Sequence, residues 1–103
     1  MIPDYMLPFL PRSRAALERA LALNLLSEEL TEAVVDFLVT GTAPESKCGY
    51  LGPQTPSRYA CDIMYWLLYA QNGPYPAEER VAEINRSITK LNKSDEPYSS
   101  SST

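Results

Sequence analysis

Thr55-Pro56-Ser57-Arg58-Tyr59-Ala60-Cys61-Asp62-Ile63-Met64-Tyr65-Trp66-Leu67-Leu68-Tyr69-Ala70-Gln71-Asn72-Gly73 is the stretch on which the fold turns. Threonine is a strong helix cap, proline is favoured at the first helical position and glycine is a common stop. Between these signals lie the only tryptophan, three tyrosines and a run of aliphatic residues. At 100° per residue, Tyr59, Ile63, Trp66, Leu67 and Ala70 share one face, with Met64 and Leu68 beside it. A helix apolar round most of its circumference is buried round most of it. The stretch therefore reads as the central helix of a small bundle.

Upstream, Ser27 precedes a second helical pattern with Glu28 and Glu29 in its first turn, where carboxylates meet the positive helix end. Leu30, Val34, Phe37 and Leu38 form its apolar stripe, and Gly41 its stop. Before it, Ala- and Leu-rich sequence from Arg14 to Leu26 favours a helix capped by Ser13, with Asn24 as its end or a bend. Residues 1–12 hold Pro3, Pro8 and Pro11, which predict an extended arm. Its apolar side chains would pack over the bundle, dock on a partner or swap into a neighbouring copy.

Downstream, Asn72-Gly73-Pro74-Tyr75 predicts a short turn and an antiparallel return, with Pro76 opening a fourth helix. Its seam is Val81, Ile84, Ile88 and Leu91. Residues 94–103 are polar and predict a disordered tail. Residues 42–54 form a connection longer than compact domains usually need, with Tyr50 and Leu51 between Gly49 and Gly52. The expected architecture is all-α: a small four-helix bundle with an extended N-terminal arm, a long loop between helices 2 and 3, and a disordered C-terminal tail. One domain covers 1–93.

Composition excludes more function classes than it suggests. The chain of 103 residues has 13 carboxylates against 9 Lys and Arg, so it lacks the cation excess of a general nucleic-acid binder. Histidine is absent, which removes Ser-His and Cys-His nucleophilic sites and every His-containing zinc site. Two cysteines cannot furnish a four-cysteine zinc site, and Cys48 and Cys61 have pairing as their alternative to reduced thiols. No phosphate-cradling GxxxxGK[ST] pattern is present, and no cofactor or metal is expected. The N-terminal residues lack a basic start before an apolar run, and no run reaches the roughly 18–20 apolar residues of a membrane span. The expectation is a cytoplasmic, non-enzymatic protein.

Two constellations stand out. Arg58, Asp62, Tyr65 and Tyr69 fall within about 60° on the central helix, and Arg58 and Asp62 are spaced to pair across one turn. Tyr and Arg are enriched where interfaces concentrate their energy. With Tyr50 and Leu51 delivered by the long loop, they make the candidate partner-binding surface. Glu28, Glu29, Glu32 and Asp36 form a secondary acidic surface, read either as a solvated face or as a contact for a basic partner. The function expected is a small acidic protein-binding module: an inhibitor, adaptor or antitoxin-like factor of the kind phages and mobile elements carry. It would act by occupying a surface of a larger protein. Its alternatives are a self-associating structural subunit and, behind that, a helix-turn-helix DNA binder with too few basic residues on its candidate recognition helices.

Overall fold

The structure, a computed structural model, describes residues 2–44 and 55–98. Within these residues the elements are a 3-10 turn Asp4–Met6, helices α1 (Phe9–Ala22), α2 (Glu28–Thr40) and α3 (Pro56–Met64), and α4 (Ala77–Lys93). The α3 path continues through a π-helical segment Tyr65–Tyr69 and a 3-10 turn Ala70–Asn72. No strand occurs among the described residues. The fold is all-α, a four-helix arrangement as the sequence pattern predicts.

The helix starts differ from expectation at α1. It begins at Phe9 rather than Arg14, with Pro8 as its cap residue and Pro11 in its first turn. A helix leaves its first four N–H groups without intrahelical partners, so a proline there removes a donor that nothing needs. Ser13 consequently lies inside the helix; it is buried, and its hydroxyl has no hydrogen-bond partner among the described residues. The segment expected as a twelve-residue arm therefore spans only 2–8. It packs on its own bundle, with Met6 fully buried and Ile2 and Tyr5 against the core.

The other ends follow local capping chemistry. At α1, Asn24 takes a left-handed φ of 56°, and Leu25 N–H donates to Ala20 O at 3.0 Å while Asn24 N–H donates to Leu21 O at 3.1 Å. These are the two bonds of a Schellman stop. Ser27 Oγ accepts from Leu30 N–H at 3.4 Å to start α2, and Gly41 ends it with φ 79°. Thr55 Oγ1 accepts from Arg58 N–H at 3.2 Å to start α3. Ser57 Oγ accepts from Ser27 N–H at 2.9 Å, which ties the starts of α2 and α3 together.

α1 and α3 each pack against all three other helices, whereas α2 and α4 have no comparable contact with each other. The core at their centre includes Leu17, Leu30, Phe37, Ile63, Met64, Leu67, Ile84, Ile88 and Leu91, all fully buried. Trp66, expected at the centre of that core, is half-buried at its edge. The first residues after Lys93 are tied to the bundle. Arg19 donates to Leu91 O at 3.3 Å and Ser94 O at 2.9 Å, placing a cation on the negative end of α4. Tyr98 N–H donates to Asn24 O at 2.7 Å, so 94–98 lie over the α1–α2 turn. Residues 99–103 lie outside the described residues.

Candidate functional site

The stripe Arg58, Asp62, Tyr65 and Tyr69 does not remain one surface. Arg58 and Asp62 sit on the side of α3 that faces α4, where the antiparallel return brings in Glu83, Arg86, Ser87 and Lys90. Together with Tyr59 these residues line a polar pocket of about 160 Å³. Arg58 Nε lies 3.5 Å from Asp62 Oδ1, the i,i+4 pair expected, and Arg86 lies 2.6 Å from Glu83 Oε1. Lys90 Nζ stands over the Tyr59 ring, 5.7 Å from its centroid. The pocket gathers three cations and two carboxylates, so it has a positive excess on a chain whose formal charge is −4.

Burial raises the Asp62 carboxyl above its ordinary value. The neighbouring Arg58 opposes that shift through charge and a hydrogen bond, Glu83 adds to it, and Lys90 opposes it. Desolvation outweighs the cations because Asp62 is recessed between two helices and shares them with a second carboxylate.

Tyr65 opens the π-helical segment. Its ring meets Trp66 edge-on at a centroid distance of 5.2 Å, and Trp66 meets Tyr75, from the α3–α4 turn, at 5.0 Å. All three are partly buried. Ala70 N–H donates to Tyr65 O, an i→i+5 bond, and such a ring takes up one more residue per turn than an α-helix. Residues beyond it therefore fall off the 100° count. Tyr69 is carried out of line with Arg58 and lines a separate groove with Ile2, Thr42, Ala43 and Leu68. Gln71 Nε2 donates to Leu67 O at 3.3 Å and Leu68 O at 3.1 Å, taking up carbonyls at the end of the widened turn.

The acidic arc of α2 is exposed throughout: Glu28, Glu29, Glu32 and Asp36 all face outward. Val35 and Val39 stand among them, 43% and 78% exposed. Counting residues at 100° places Val39 within the acidic arc and Val35 about 20° beyond its edge, so that signal was present in the sequence. Tyr75, Glu83, Arg86 and Lys90, by contrast, join the site only through the packing of α4 on α3. Tyr50 and Leu51 lie outside the described residues, as does Cys48 and with it any pairing to the buried Cys61.

Among the described residues, no group of three or more Cys, Asp or Glu side chains is placed to hold a metal ion. No helix among them is long and apolar enough to cross a membrane. No protein-family model, curated protein or solved structure matches the chain.

Proposed function

We propose that the chain is a small non-enzymatic protein-binding module that occupies a surface of a larger protein through its α3/α4 face. The observation that carries this reading is the company kept along that face. The partly buried rings of Tyr59, Tyr65, Trp66 and Tyr75 flank an interleaved set of charges from Arg58, Asp62, Glu83 and Arg86. Aromatic and arginine side chains with a polar surround are the composition of an interface centre. The π-helical turn supports the same face, since such turns occur frequently at functional sites.

The chemistry favours binding over catalysis. Each carboxylate of the pocket has an arginine beside it, Asp62 with Arg58 and Glu83 with Arg86, an arrangement that suits charge recognition better than acid–base work. The test is capture by the tagged chain from its native host, compared with Tyr65→Ala and Arg58→Glu variants of equal melting temperature. A protein captured by the wild type and released by both variants supports the reading, each substitution being expected to weaken binding by ~1–2 kcal/mol. A protein captured equally by all three chains refutes this face as the contact.

A further inference from the structure

The outward face of α2 has a composition that the α3/α4 reading does not use. The chain's negative excess resides on this helix. α2 carries four carboxylates and neither Lys nor Arg, and the remainder of the chain is balanced with nine of each sign. On the same side, Val35 and Val39 stand one turn apart and exposed. At 100° per residue Glu28, Glu32, Val35 and Val39 fall within about 60° of one another, with Asp36 just beyond. The opposite side of the helix, Leu30, Ala33, Val34 and Phe37, is buried. Val39 is largely open and Val35 partly so, and water is a costly environment for a β-branched pair that a polar residue would replace without loss of helix propensity.

We propose that this face is a docking surface for a basic amphipathic helix of another protein, the valines meeting its apolar stripe and the carboxylates its Lys and Arg. Charge selects that occupant. A second copy of the chain would set four carboxylates against four, and nucleic acid or an anionic lipid surface would be repelled as well. The thirteen residues of α2 offer about 20 Å of helix, a length suited to helix-on-helix recognition through anchors at i and i+4.

The probe is a synthetic fluorescent peptide of about 18 residues made of Leu and Lys, with Leu at i, i+3, i+4 and i+7. A peptide of the same composition with Leu scattered serves as control. Fluorescence anisotropy should show the ordered peptide binding at least ~10-fold more tightly than the control, and Val35→Ser/Val39→Ser should remove that advantage. Glu28→Gln/Asp36→Asn should weaken binding at low ionic strength and flatten its salt dependence. Tyr65→Ala should leave it unchanged, which separates this surface from the α3/α4 face. Because Val35 and Val39 are exposed, circular dichroism melts of the serine variants should match the wild type; the single variant Val39→Ser provides the same test if the double variant is less stable. Equal binding of both peptides, or no effect of the valine changes, overturns the proposal. A chain dimer at micromolar concentration that Val39→Ser dissociates also overturns it, in favour of a second copy as occupant.

Discussion

Replacing Leu67 and Trp66 one at a time tests the path of the chain through the π-helical segment. The two residues are neighbours in sequence, yet the widened turn buries Leu67 completely and leaves Trp66 half-buried at the rim of the core. Leu67→Ala removes buried methyl groups and leaves a cavity among packed side chains, a loss of about 2–5 kcal/mol. At roughly 4–8 °C per kcal/mol for a domain of this size, a 3 kcal/mol loss lowers the melting temperature by roughly 12–24 °C. Trp66→Ala removes two edge-on ring contacts, worth about 0.5–1.5 kcal/mol each beyond burial, together with part of a buried surface, so about 2–4 kcal/mol is expected. Thermal and urea melts followed by circular dichroism give both values. Trp66 is the only tryptophan, so iodide quenching of its emission reports its exposure directly. A Leu67→Ala shift of a degree or two beside a much larger Trp66→Ala shift, with Trp66 shielded from iodide, would place Trp66 in the core. The assignment of a widened turn would then be wrong.

Truncation after Ser94 should lower stability by about 1 kcal/mol, since it removes the Tyr98 bond to the α1–α2 turn; an unchanged melt would show that this tether contributes nothing. Gly41→Ala should cost about 1–2 kcal/mol from its left-handed φ alone, because a Cβ there meets nothing within 4 Å. Asp62→Asn should melt at or slightly above the wild type at pH 7. The folded-state pKa of Asp62 is raised above the unfolded value, so the wild type gains stability from this group only at acid pH. It loses that gain as pH rises from about 4 through the raised pKa, and the advantage of the variant should vanish below about pH 4. A variant clearly less stable at neutral pH would mean that the Arg58 pair outweighs burial.

What the sequence disclosed was mostly what single turns of chain decide. Thr55, Pro56, Ser27, Gly41 and Asn24 signal helix ends because a cap is satisfied by atoms a few residues away. The early start of α1 was hidden because three prolines argue against a helix in general but not in a first turn, where the absent N–H has no role. The π turn left no residue-type signature, and it displaced Tyr69 from a stripe counted at 100°. In the site, the Arg58–Asp62 pair was legible as an i,i+4 spacing. Its partners Glu83, Arg86 and Lys90 were not, because they depend on how far α4 slides along α3. Val35 and Val39 were overlooked for another reason: aliphatic residues in a helical pattern are assigned to the core, and the outer arc was counted only for its carboxylates.

The placement of charge bears on how the two proposed faces would work together. α2 flanks the α1/α3 pair and has no substantial contact with α4, so its acidic ridge and the α3/α4 pocket are built on different helices. One surface is uniformly negative around an apolar pair; the other interleaves both signs around aromatic rings with a slight positive excess. The two surfaces differ in the sign of their charge as well as in their apolar groups, so each favours a partner of different charge. A ligand selected by one field is therefore not selected by the other. Binding at the acidic ridge should depend steeply on salt, whereas binding at the aromatic face should depend mainly on the rings and weakly on salt, since both of its carboxylates already have an arginine partner. That difference separates an inhibitor, which needs one face, from an adaptor, which needs both: an adaptor would retain one partner and release the other as salt is raised.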